Sequence, residues 1–151
     1  MVRSVVASLT LVLVAASSAL ALQGGPTRAD FVAGADKICR KHQRDANPSL
    51  RRGQRLVADR KYRQGAEQYL RGIEVLRGIR AVRGVPHPQA DDARIDRWID
   101  GELKALTLAS RGWKAVKKRA FGRAERLLAK SERTHGRSHR PVRGFRFEHC
   151  T

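Results

Sequence analysis

Between residues 28 and 136 the apolar positions recur at helical spacing, in stretches separated by proline, glycine and charged residues. The first stretch follows a Thr27 to Asp30 segment that resembles a capping box, and Pro48 is expected to stop it. We therefore predict a first helix over residues 28–46. Its apolar stripe consists of Phe31, Ala35, Ile38 and His42.

A second helix is predicted from Pro48 to the segment 84–88, with a possible break near Tyr62. Two prolines in 84–88 cannot continue a helix. The glycines at 65, 72 and 78 each weaken a helix by about 1 kcal/mol relative to Ala, so packing must hold this one. Its stripe consists of Ala66, Tyr69, Leu70, Ile73, Leu76 and Ile79.

Two further helices are predicted, one from about Gln89 to Arg119 and one over residues 121–134, the latter closed by Gly136. Trp98 and Trp113 fall on the third helix's stripe, which places them in or beside the core. Phe121, Ala124, Leu127 and Leu128 form the stripe of the fourth. The pattern predicts an all-α, single-domain, antiparallel four-helix bundle over residues 28–136.

The N-terminal residues 1–21 have the form of a secretory signal peptide. Arg3 precedes an apolar run, and Ala19-Leu20-Ala21 offers a small-x-small cleavage site. An uncleaved signal anchor is the alternative, because the run is long enough to cross a bilayer. Residues 22–27 then form a short linker, and no Cys follows the cleavage site to carry a lipid. We predict export to the outer side of the cell envelope, with no transmembrane segment after cleavage.

The chain has two cysteines, Cys39 and Cys150. An even number in an exported chain favours a disulfide, which would close a loop of about 110 residues and stabilise the fold by about 4.7 kcal/mol. Two free thiols, or a metal thiolate with His149, are the alternatives. In the C-terminal tail, residues 137–151, Phe145 and Phe147 alternate with polar residues. An extended tail would turn both rings toward the bundle and dock on helix one.

Three segments carry a resemblance to known proteins: residues 31–39, which read F-V-A-G-A-D-K-I-C, residues 86–91, which read P-H-P-Q-A-D, and residues 147–150, which read F-E-H-C. In these the chain resembles small exported, often lipid-anchored, uncharacterised helical proteins of GC-rich Gram-positive bacteria. The resemblance implies a helical bundle with a disulfide from helix one to the C-terminus. It implies no known activity. Gly144 departs from the pattern, standing three residues before Phe147 instead of directly before it.

The formal net charge is +18, and loss of Arg3 with the signal would leave +17. Of the 32 basic residues 24 are Arg, a bias that GC-rich codons produce without functional demand. Residues 103–147 hold fourteen Lys or Arg against Glu125 and Glu132, whereas residues 91–102 hold five acids against two arginines. The charge is thus predicted to be unevenly distributed, with an acidic first half of helix three and a strongly positive C-terminal third.

Such a positive region attracts polyanions in a salt-dependent way. We expect a non-enzymatic protein that associates with anionic wall polymers or lipid head groups. The alternatives are a basic surface that is merely solvated and a secreted protein that binds nucleic acid. No helix-turn-helix, zinc-finger or aromatic RNA-binding signature indicates sequence-specific recognition of nucleic acid. The predicted anion-binding residues are Arg111, Lys114, Lys117, Lys118, Arg119, Arg123, Arg126 and Lys130.

No nucleophile elbow, zinc-protease, phosphate-loop or Cys-x-x-Cys motif is present, so no catalytic residue, metal or cofactor is predicted. An enzyme acting on a wall polymer remains an alternative, with paired carboxylates among Asp96, Asp100 and Glu102. His135 and His139 are four residues apart, a spacing that suits a metal on a helix. Gly136 and Ser138 indicate, however, that the helix has already ended there, which favours isolated surface histidines.

Overall fold

The computed structural model describes residues 25–150, and this part of the chain is all-helical with four helices packed together, as predicted. The predicted signal peptide lies outside these residues. The helices are α1 (Arg28–Ala58), α2 (Tyr62–Leu76), α3 (Asp92–Lys117) and α4 (Phe121–Ser138). Two 3₁₀ segments, Arg77–Gly84 and Gln89–Asp91, lead from α2 to α3. Within the described residues no helix is long and apolar enough to span a membrane.

Helix α1 begins where predicted but does not stop at Pro48. Thr27 and Asp30 form a reciprocal capping box at its start. Proline inside a helix removes one hydrogen bond and costs about 3 kcal/mol. Here packing on both sides of the proline offsets that cost, because Ala46 and Gly53 are buried and Leu50 contacts α2. The predicted break near Tyr62 is present, and it separates α1 from α2.

The glycines of α2 are contact points with α1. A Cβ built on Gly72 would lie 2.5 Å from Cδ2 of Leu50, and one on Gly65 would lie 2.6 Å from Cγ2 of Val57. Distances this short leave no room for a side chain. The residues that weaken α2 in isolation therefore allow the two backbones to approach each other.

Helices α3 and α4 are joined by residues 118–120, in which Arg119 has a positive φ of 60°. A Cβ on Gly112 of α3 would lie 2.8 Å from Leu128 of α4, and Ser131 Oγ donates a hydrogen bond to the carbonyl oxygen of Ala105 at 2.7 Å. Helix α4 does not end at Gly136 but continues to Ser138. Its packing along α3 therefore outweighs the low helix propensity of one glycine.

The main core lies where α1, α3 and the tail meet, and Phe31 and Trp98 are fully buried in it. A second, smaller core joins α2, α3 and α4, and there Trp113 is partly buried and stacks on Tyr69 with 3.8 Å between ring centroids. Phe121 was predicted on the buried face of the fourth helix but is 47% exposed. As the first residue of α4 it lies beyond the end of the core.

The tail is covalently attached to α1 by a disulfide between Cys39 and Cys150, whose Cα atoms are 5.3 Å apart. The predicted disulfide is confirmed. Asp36, one turn before Cys39, accepts hydrogen bonds from three successive backbone N–H groups of the tail at 2.9 to 3.1 Å. These are the amides of Glu148, His149 and Cys150.

The tail is not extended as predicted, because turns occupy residues 141–144 and both Gly144 and Arg146 have positive φ. These local turns still direct both phenylalanines inward. The rings of Phe145 and Phe147 lie 6.0 and 6.1 Å from that of Phe31.

Candidate functional site

The eight predicted anion-binding residues are all exposed. Three of them, Arg111, Lys114 and Lys118, follow each other at intervals of three and four residues and so lie on one side of α3. Arg111 and Lys114 belong to the helix, and Lys118 directly follows its last residue. On α4 the same intervals separate a second set of three residues. That second set consists of Arg123, Arg126 and Lys130.

The two rows of cations meet at the turn between α3 and α4. A shallow depression of about 210 Å³ at this turn is lined by Arg111, Lys114, Lys118 and Arg123, with Ala115 and Ala120 completing its wall. No side chain caps the first turn of α4, whose positive dipole end lies at the same place. Four of the eight predicted residues are therefore brought to one spot, beside backbone groups that also favour an anion.

Ion pairing distinguishes Lys117 from the other seven. Lys117 Nζ lies 2.8 Å from Oε1 of Glu67, and this hydrogen bond lowers the pKa of the Glu67 carboxyl. Among the described residues no carboxylate lies within ion-pair distance of the remaining seven, which we call the cationic face. The cationic face consists of Arg111, Lys114, Lys118, Arg119, Arg123, Arg126 and Lys130.

The acids of residues 91–102, in contrast, all have a basic partner. Asp96 and Asp100 are exposed and share Arg83, whose Nε is 3.1 Å from Asp96 Oδ1 and whose Nη2 donates to Asp100. The predicted acidic half of α3 is therefore locally compensated. The remaining pairs are Asp91 with Arg28 and Arg94, Asp92 with His87, and Glu102 with His135 and His139.

Glu102 is separated from Asp96 and Asp100, because its side chain turns inward and theirs point to solvent. The three carboxylates considered for an enzyme site are thus not brought together. Glu102 instead accepts a hydrogen bond from His135 Nδ1 at 2.9 Å and another from Ser138 Oγ. His139 Nε2 lies 3.2 Å from Oε1 of Glu102, in an orientation that makes no hydrogen bond.

The charge state of this cluster follows from its contacts. Burial by itself would raise the pKa of Glu102, but the interactions with His135, His139 and Ser138 outweigh it and lower the pKa to about 2. The hydrogen bond to Glu102 in turn raises the pKa of His135. The carboxylate is therefore ionised throughout the physiological pH range.

Sequence reasoning did not find the cluster, although the four-residue spacing of His135 and His139 was its signal. The prediction that α4 ends at Gly136 placed these histidines outside any helix. Glu102 lies 33 residues before His135, so only the packing of α3 against α4 brings them together.

A cavity of about 310 Å³ adjoins the cluster on one side. Glu102 and His135 border it, together with the Cys39–Cys150 disulfide. Aliphatic side chains and polar groups share the rest of the wall, namely His42, Gln43, Asn47, Leu50, Leu76, Ile79, Leu106 and His149.

Comparison with known protein families, with curated proteins and with solved structures finds no match to this chain.

Proposed function

We propose that this protein is exported and associates through its cationic face with anionic components of the cell envelope, such as wall polymers or lipid head groups, without catalysing a reaction. One observation carries the proposal: seven exposed cations on α3, α4 and their turn have no carboxylate partner among the described residues, and four of the seven line the 210 Å³ depression. That brings four cations to a single depression.

A repetitive polyanion suits such a surface better than a small anion does. Each exposed ion pair contributes little by itself, about 0 to 1 kcal/mol. A polymer with regularly spaced negative groups engages several cations at once, so the contributions accumulate and mobile counterions are released. Binding of this kind is strong at low salt and weakens steeply as salt is added.

The architectural part of the proposal is that the four helices form an antiparallel bundle of the kind found in the resembled group of exported bacterial proteins. The order of the contacts supports it. On α1 and α2, Gly53 contacts Gly65 whereas Leu50 contacts the later Gly72. On α3 and α4, Gly112 contacts Leu128 whereas Gly101 contacts the later Ser138.

The proposal is tested by measuring retention of the disulfide-intact protein on purified wall polymer, phosphatidylglycerol vesicles and duplex DNA across a salt series. A variant with Gln at Arg111, Lys114, Lys118 and Arg123 loses the cations of the depression. The matched control places Gln at four exposed arginines of α1, so that both variants lose the same net charge. The control positions are Arg40, Arg51, Arg52 and Arg55.

We expect wall polymer or vesicles to retain the native protein at about 0.15 M salt. The depression variant is expected to bind at least about tenfold more weakly and with a shallower salt dependence, whereas the control changes less. Equal losses in both variants would mean that net charge alone acts, which contradicts a defined face. The proposal would be overturned by equal binding to all three polyanions that added salt abolishes, or by no retention on any of them.

A second candidate, an enzyme acting on a wall polymer, keeps one observation in its favour: Glu102 and His135 border the 310 Å³ cavity. An ionised Glu102 suits a base or a nucleophile and not a general acid. The test is release of soluble fragments from purified wall by the native protein and by Glu102→Gln. Release that is lost in the variant would support this candidate, and the absence of release by the native protein would exclude it.

A further inference from the structure

Three side-chain atoms that can bind a metal ion lie together at the buried carboxylate of Glu102. One carboxylate oxygen and one nitrogen from each of His135 and His139 lie within 4.8 Å of one another. Ligands held tetrahedrally at about 2.0–2.1 Å from a zinc ion are roughly 3.3 Å apart. Oε1 of Glu102 lies 3.0 Å from Nδ1 of His135 and 3.2 Å from Nε2 of His139, which is close to that spacing.

Helix geometry makes the two histidines a pair. His135 lies on α4, and His139 follows its last residue with backbone dihedrals that are still helical. The two ring centroids are 4.9 Å apart, so both rings are presented to the same carboxylate on α3. Nε2 of His139 is buried without a hydrogen-bond partner. A buried polar nitrogen without a partner costs about 1–3 kcal/mol, and a coordinated cation would satisfy it.

We propose that Glu102, His135 and His139 form a binding site for a divalent transition-metal ion of the Zn²⁺ class. Two imidazoles and one carboxylate suit Zn²⁺, Co²⁺ or Ni²⁺ better than Ca²⁺ or Mg²⁺, which prefer oxygen ligands only. Three protein ligands leave a coordination position for water. The cavity bordered by Glu102 and His135 gives that position access to solvent or to a small ligand.

Ser138 completes the arrangement from outside the ligand set. Its hydroxyl donates to Glu102 and is itself buried, so it orients the carboxylate toward the histidines. Hydrogen bonds of this type to a ligating residue commonly raise metal affinity by about 10- to 100-fold. The competing explanation is a metal-free cluster in which protonated His135 alone compensates the charge of Glu102.

The test uses the disulfide-intact chain without an affinity tag. Co²⁺ is added at about pH 7.5 while visible absorption is recorded, and Zn²⁺ binding is measured by calorimetry. We expect one ion per chain, with the intense visible bands of tetrahedral Co²⁺ that Zn²⁺ removes by competition. His135→Ala combined with His139→Ala should abolish the signal, and Glu102→Gln should weaken binding by at least about tenfold.

The control variant is His149→Ala, which removes a neighbouring histidine of the cavity wall and should keep full binding. Circular dichroism of every variant shows whether its helices are intact. If Glu102→Gln is misfolded, His139→Ala alone serves, because its Nε2 makes no hydrogen bond in the structure. Absence of saturable Co²⁺ and Zn²⁺ binding to the folded native chain, or binding that persists in the double histidine variant, would overturn the proposal.

Discussion

The guanidinium of Arg28 donates to both carboxylate oxygens of Asp91, from Nε and Nη2 at 2.8 Å each. Arg28 is the first residue of α1, and Asp91 directly precedes α3. Arg94 adds a third hydrogen bond to the same carboxylate at 3.2 Å. The two residues are 63 positions apart in sequence, and their pairing links the starts of α1 and α3. Asp91 is almost completely buried.

Replacement of Asp91 by Asn should lower the melting temperature by several degrees near neutral pH, because the charge-assisted hydrogen bonds are lost. The hydrogen bond from Arg28 lowers the pKa of Asp91 below its usual 3.8. The carboxylate therefore stabilises the fold above that pH, and its contribution is lost as the pH falls through the lowered value. Thermal melts of both proteins from pH 7 to pH 2 should converge at the acid end. Asp45→Asn, at an exposed position, is the control and should change little.

Reduction of the Cys39–Cys150 disulfide should destabilise the protein by about 3–5 kcal/mol, because a loop of about 110 residues is released in the unfolded state. Urea unfolding of oxidised protein and of a Cys39→Ser, Cys150→Ser double variant measures the difference. Hydrogen exchange at the amides of Glu148, His149 and Cys150 should show whether Asp36 holds the tail without the crosslink. An unchanged unfolding midpoint would contradict the proposed contribution of the disulfide.

Phe31→Ala should lower the free energy of unfolding by about 3–5 kcal/mol, because the ring is fully buried and a cavity would remain. Its ring contacts Phe145 and Phe147 edge-on, so the same substitution should also loosen the tail. Phe121→Ala removes an identical side chain that is 47% exposed, and its cost should stay below about 1 kcal/mol. Chemical unfolding of the native protein and of both variants measures the loss in free energy of unfolding. Similar losses in the two variants would contradict the described core.

Gly72→Ala should destabilise the protein by about 1–3 kcal/mol, although alanine is the better helix former. The added methyl group would lie 2.5 Å from Cδ2 of Leu50, so either this side chain or the two helices must shift. Gly136→Ala is the matched control, because no atom other than those of its chain neighbours and its own helix backbone lies within 4 Å of its added methyl group. That variant should be neutral or more stable by up to about 1 kcal/mol. Unfolding midpoints with opposite shifts would agree with the prediction, and stabilisation by both would contradict it.

Residues 31–39, 86–91 and 147–150 pack together near the start of α1. Phe31 lies in the core, Asp36 binds the tail and Asp91 pairs with Arg28. Phe147 stacks on Trp98 with 4.8 Å between ring centroids. Each of these contacts holds the structure together.

The sequence by itself determined the features that depend on neighbouring residues. The capping box at Thr27, the start of α1 and the cation rows on α3 and α4 follow from local spacing, because a helix repeats every 3.6 residues. The sequence also predicts the cysteine pairing, since a chain with two cysteines can form only one intramolecular disulfide, but it leaves free thiols and a metal thiolate as alternatives that the structure decides against.

Only the tertiary structure decided where a residue of low helix propensity still lies inside a helix. Pro48 and Gly136 lie inside helices because the packing of α1 on α2 and of α4 on α3 outweighs their low helix propensity. The tertiary structure also decided which charges are paired, because the contacts of Arg83 with Asp96 and of Glu102 with His135 join different parts of the fold. Such contacts join residues that are distant in sequence, and no local pattern contains the distances between them.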